Sequence, residues 1–209
     1  MKILAPLIVA VSLLLPGFAR GEELRAGIYA LRTVPGADLD HRKVYVAVNG
    51  TEISGFFDNP FTTPAANNPD RDPTCRFLLK GSSAAGGVVE FTTFFGAERG
   101  ASIAVTSRGR GAWSVHVDGD LPNCEVSTVE SGDSMTFDSE RHWLGFARIA
   151  SAKAPLFNEP QADARSKAYL VRNDVVAILE RHAGWAKIDY FQRGGNLVRW
   201  VNASDLAGR

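Results

Sequence analysis

The chain has 209 residues, 45% of them apolar, and its 23 lysines and arginines match its 23 aspartates and glutamates. Such a chain can build real cores in two modest domains, and its zero net charge excludes a global field of the kind that draws nucleic acid or anionic lipid. Partner choice must rest on local features.

Met1-Lys2 leads into an apolar run over residues 3–15, interrupted by Pro6 and Ser12, and small residues at Ala19 and Gly21 precede Glu22 and Glu23. A basic start, an apolar stretch shorter than the about 20 residues of a membrane span and a small-residue junction together predict a secretory signal peptide over residues 1–21, cleaved after Gly21. No cysteine stands at the junction, so no lipid anchor is expected. No later stretch is long and apolar enough to span a bilayer, which places the mature chain in the periplasm or outside the cell. That compartment is oxidising, and Cys75 and Cys124 are the only cysteines, so a disulfide between them is expected.

Residues 22–150 read as short β-runs between turn residues, without a sustained helical period. A first strand is expected over residues 25–32. Residues 43–48 and 51–57 flank Asn49-Gly50, a strong hairpin signal because both positions tolerate positive φ. Further strands are expected at 75–79, 88–95, 102–106, 113–117, 124–126, 135–137 and 143–149. This spacing predicts an all-β domain, first a lipocalin-like or other up-and-down β-barrel and next a sandwich. Residues 58–74 carry Pro60, Pro64, Pro69 and Pro73 and almost nothing apolar, so they form a connection outside the core; Phe61 and Arg71 are its candidate partner contacts. Residues 81–87, rich in glycine and serine, read as a flexible turn. They lack the lysine and following helix of a phosphate loop.

A boundary is expected near residues 150–153, and residues 153–206 form a second module. It opens with residues 154–160, a Pro-containing stretch, and continues through Leu170 to Leu179 with the Asn173-Asp174 turn inside the run. Gly184 then lets the chain reverse into Trp185-Ala186-Lys187-Ile188, and Trp200-Val201 and Ser204-Asp205-Leu206 close it. In order and spacing this quarter of the chain resembles a bacterial SH3-like domain, and the resemblance implies a small β-barrel that binds cell-wall peptides or other proteins. Arg199 stands where that family usually has glycine before the last tryptophan, and residues 156–159 replace its usual opening signature. Strand alternation sends Ala186, Ile188 and Tyr190 to one face and Trp185, Lys187 and Asp189 to the other. Trp185, Lys187, Arg199 and Trp200 are the module's candidate partner contacts.

The histidines at 41, 116, 142 and 182 are scattered, neither Glu140-Arg141-His142 nor Glu180-Arg181-His182 has metal-ligand spacing, and no Gly-x-Ser-x-Gly elbow occurs. No catalytic residue, cofactor or metal is therefore expected. The pattern points to an exported binding protein whose partner is a protein or a cell-wall component, an inhibitor or immunity protein against an envelope-targeting enzyme being its specific form. The alternatives are a peptidoglycan-associated module carrying a second ligand-binding domain, and an enzyme of unfamiliar type in the first domain.

Overall fold

Antiparallel pairing closes the first eight strands on themselves. In the computed structural model, which describes residues 22–33, 42–59, 75–84, 87–124, 128–191 and 196–207, these strands are β1 (Gly27–Arg32), β2 (Lys43–Asn49), β3 (Glu52–Asn59), β4 (Cys75–Ala84), β5 (Val88–Phe95), β6 (Glu98–Gly109), β7 (Ala112–Asp118) and β8 (Ser134–Glu140). Each pairs with the next, and β8 returns to β1. The all-β expectation holds, and the choice between barrel and sandwich falls to the barrel. The Asn49-Gly50 hairpin forms with Asn49 opposite Glu52 and Gly50 at positive φ.

Alternation fills the lumen. Leu31, Val44, Val46, Phe57, Phe77, Phe91, Val105, Val115 and Met135 all point inward and are buried. They leave a cavity of about 20 Å³, room for no more than a water molecule. Among the described residues this barrel therefore shows no ligand-sized calyx of the kind a lipocalin-like barrel would carry. One end is tied twice. Arg42 Nη1 lies 2.8 Å from the buried Asp133 Oδ2, and Cys75 at the start of β4 is bonded to Cys124 in the connection between β7 and β8.

Seven further strands form a second sheet: β9 (Gly145–Ile149), β10 (Lys153–Phe157), β11 (Arg165–Val171), β12 (Val175–His182), β13 (Trp185–Tyr190), β14 (Leu197–Asn202) and β15 (Leu206–Ala207), in the order β11-β10-β14-β13-β12-β9-β15. Its own core gathers Ile149, Leu156, Leu170, Val176, Ile178, Ile188 and Val201.

Three expectations need correction. The strand at 143–149, assigned to the first domain, is β9 of the second sheet, where Ala147 faces Val176 across the ladder with β12. The switch between sheets thus falls before β9 rather than near residues 150–153; an apolar β-run carries no mark of which sheet it joins. Residues 81–84 are not part of a turn but belong to β4, and Gly81 is there because a Cβ would overlap the Glu90 carbonyl and the Phe91 ring. Finally, Cys124 lies outside any strand, and residues 125–127 of the strand expected there fall outside the described residues.

Candidate functional site

β2, β3 and β4 carry apolar residues on both faces. Val44, Val46, Phe57, Phe77 and Leu79 face the lumen, while Tyr45, Ala47, Phe56 and Leu78 face outward and are covered by Phe146, Val175, Ala177 and Leu179 of the second sheet. This outer cluster welds the two sheets. Trp143 lies at its centre with ring centroids 5.4 Å from Phe146, 5.2 Å from Phe191 and 6.1 Å from Tyr45. Burial, helped by the charge of Asp58, pushes the Tyr45 hydroxyl up to about 12. On another side of the junction, Arg76 Nη2 donates to the Asn173 carbonyl at 3.0 Å and Arg148 Nη1 donates to Asn173 Oδ1, with both guanidiniums against the Phe95 ring.

One group in this junction is out of keeping with its surroundings. Asp189 is 4% exposed; its Oδ2 accepts the Trp143 indole N–H at 3.3 Å, and its Oδ1 has no hydrogen-bond partner. Alternation puts Asp189 on the outward face of β13 as expected, but the barrel covers that face. Burial raises its pKa, while the Trp143 hydrogen bond and the charge of Arg141 pull the other way. The folded protein thus holds the Asp189 proton more tightly than the unfolded chain does. The stability linked to that proton is complete below the ordinary carboxylate value and is lost as pH rises through the raised native value. Asp189→Asn is therefore expected to raise the urea midpoint at neutral pH, and to change it less at acid pH, where the native carboxyl is already protonated. An equal shift at both pH values would show that the charge is not responsible.

Beside this weld the two sheets diverge and leave a cleft of about 970 Å³. Its barrel wall is built from Glu52 and Ser54 of β3, Leu78 and Lys80 of β4, and Thr92 and Phe94 of β5; the opposite wall comes from Leu144, Phe146, Leu179, Glu180 and Arg181, with Arg99 at the margin. Leu78, Phe94, Phe146 and Leu179 make the floor apolar, and Leu144, 43% exposed, stands at the opening. The side chains of the charged rim residues Glu52, Lys80, Arg99, Glu180 and Arg181 make no ion pair or hydrogen bond among the described residues. An apolar floor under unengaged charges, at the meeting of two modules, is the usual anatomy of a ligand cleft.

No family model, curated protein or solved structure matches the chain. Its site must be read from its own residues.

Phe61 and Arg71 lie outside the described residues. Three of the other four expected contacts come together on the outward face of the second sheet. Trp200 stands opposite Lys187 on β13 and opposite Phe157 on β10, the Lys187 Nζ is 5.8 Å from the Trp200 ring centre, and the half-buried Trp185 meets Phe157 edge-on at 4.8 Å. Trp200 itself is buried, so it supports this face rather than presenting it. Arg199 does not join them. It pairs with Ile188, and alternation sends it to the opposite face. The cleft was missed in the sequence, although a signal was present: Phe56-Phe57 and Phe77-Leu78-Leu79 break strict alternation, and a strand apolar on both faces is a strand covered on both faces.

Proposed function

We propose that this is an exported, non-catalytic binding protein of the bacterial periplasm or envelope, which docks a protein partner in the cleft between its barrel and its second sheet. An inhibitor or immunity protein acting against an envelope-targeting enzyme is the specific form of this reading. The observation that carries it is the contrast between the two concavities: the lumen keeps about 20 Å³ while the junction keeps about 970 Å³ with unengaged charges at its rim. The leader-like residues 1–21 and the Cys75–Cys124 disulfide support the compartment.

The mature chain, used as bait in periplasmic extract, is expected to retain a defined protein that Leu144→Glu releases, since a carboxylate at the opening would be buried against an apolar partner. Identical retention by both proteins would refute the cleft as the docking site. The aromatic face around Trp185 and Phe157 favours a second reading, a peptidoglycan-associated module. Co-sedimentation with purified wall separates the two, because an inhibitor of a protein stays in solution.

A further inference from the structure

β11 is the outermost strand of the second sheet, with β10 on one side and no described strand on the other. Its register against β10 shifts between Pro155 and Phe157, but the two extra residues on β11 preserve the period of two seen in its exposure pattern, so its backbone groups can be assigned by alternation. Ala168 turns its N–H toward β10, where Ser166 Oγ accepts it and in turn donates to the Leu156 carbonyl. Tyr169 stands opposite Pro155, which has no N–H to exchange, so the Tyr169 and Lys167 amide groups point away from the sheet. The next outward N–H, that of Val171, is taken by Asp174 Oδ2 at 2.8 Å. The open main-chain edge thus runs through Lys167 and Tyr169.

The side chains along this edge are equally unengaged. Tyr169 is 50% and Val171 46% exposed, large apolar surfaces for a soluble sheet. Arg165 and Lys167 are exposed and form no ion pair among the described residues, and Lys153 on the neighbouring strand rests its Nζ 3.9 Å from the Tyr169 ring centre. Arg172 adds a further exposed cation. Against these, the strand and its adjoining turns carry Glu159, Asp163 and Asp174; Glu159 accepts from Gln161 Nε2 at 3.1 Å, and Asp174 is occupied by the Val171 amide.

We propose that β11 receives an extended, acidic segment of a partner protein as an added strand. Main-chain bonds to Lys167 and Tyr169 would supply affinity, and alternate carboxylates facing Arg165 and Lys167 would supply selection. The same cations disfavour a second copy of this chain, because pairing two β11 strands gathers Arg165 and Lys167 of both copies on one face. This inference stands apart from the cleft, whose second-sheet wall comes from residues 144–146 and 178–181 and includes no residue of β11.

The test is a labelled peptide of about eight residues, the length of an ordinary strand, alternating glutamate with valine. It is titrated by fluorescence anisotropy against the full mature chain, beside a lysine-valine counterpart and a form N-methylated at alternate amides. The acidic peptide is expected to bind, more weakly as salt is raised, with the other two at least about tenfold weaker, a difference of one decade in Kd. The double variant Arg165→Glu, Lys167→Glu should reverse the preference while leaving the circular dichroism spectrum and melting temperature unchanged. Equal binding of the N-methylated form would mean charge adsorption without strand addition and would overturn the proposal. So would binding by none of the peptides, or a dimer in sedimentation at the concentrations used. Loss of acidic-peptide binding in Leu144→Glu would move the site to the cleft and likewise overturn it, whereas failure of the cleft reading alone leaves this result intact.

Discussion

Replacing Cys75 and Cys124 together by alanine is expected to lower the free energy of unfolding by about 4 kcal/mol, the chain-entropy value for a loop of this size. The two residues are 49 apart in sequence. Their bond joins the first residue of β4 to the connection between β7 and β8, at the barrel end where β3 finishes and β4 starts. The neighbourhood supports the link: Asn123 is buried at positive φ and its Nδ2 donates to the Arg76 carbonyl at 3.1 Å. Urea unfolding of oxidised wild type against the double variant measures the difference, and reduced wild type should approach the variant. Coincident midpoints under oxidising conditions would show that the bond does not constrain the unfolded chain.

Trp143→Ala is the other substitution with a large expected effect, a loss of about 3–5 kcal/mol from emptying a well-packed aromatic site. Trp143 is 2% exposed and touches residues from both sheets. Its removal should also uncouple the two modules, so that calorimetry resolves two transitions where the wild type gives one. Trp143→Phe separates packing from polarity. It keeps most of the apolar volume but leaves both Asp189 oxygens without a donor, and the expected cost is about 1–3 kcal/mol for that unsatisfied group. Retention of a single transition at wild-type midpoint by Trp143→Ala would mean that the junction is held elsewhere, with the Arg76, Asn173 and Arg148 contacts the leading alternative.

A shared buried cluster joins the two modules. Phe56 and Val175 are each fully buried in the shared cluster, and burying a side chain of this kind stabilises by about 1.5–3 kcal/mol. A rigid junction keeps the cleft walls at a fixed separation, which lowers the ordering cost of any partner that enters.

The local features of this protein were legible in its residue order. Turn chemistry at Asn49-Gly50, period-two alternation along β13 and the uniqueness of Cys75 and Cys124 are short-range or compositional facts, and each has one physical solution: a hairpin, a two-faced strand, a disulfide. Trp185 and Lys187 could be placed on one face for the same reason, whereas Trp200 joins them only through its register opposite Lys187. Everything that depends on which strand meets which was set by packing instead. Whether β9 joins the barrel or the second sheet turns on a ladder with β12, distant in sequence, and no periodicity within residues 143–149 encodes it. The filled lumen depends on eight strands contributing side-chain volume at once. Asp189 is buried only because the barrel covers a face that alternation alone would leave to solvent. The cleft exists because the two sheets part company beyond Phe146 and Phe94. Pattern within a strand fixes which way its side chains point, but the surface they meet is set by packing between segments far apart in the chain.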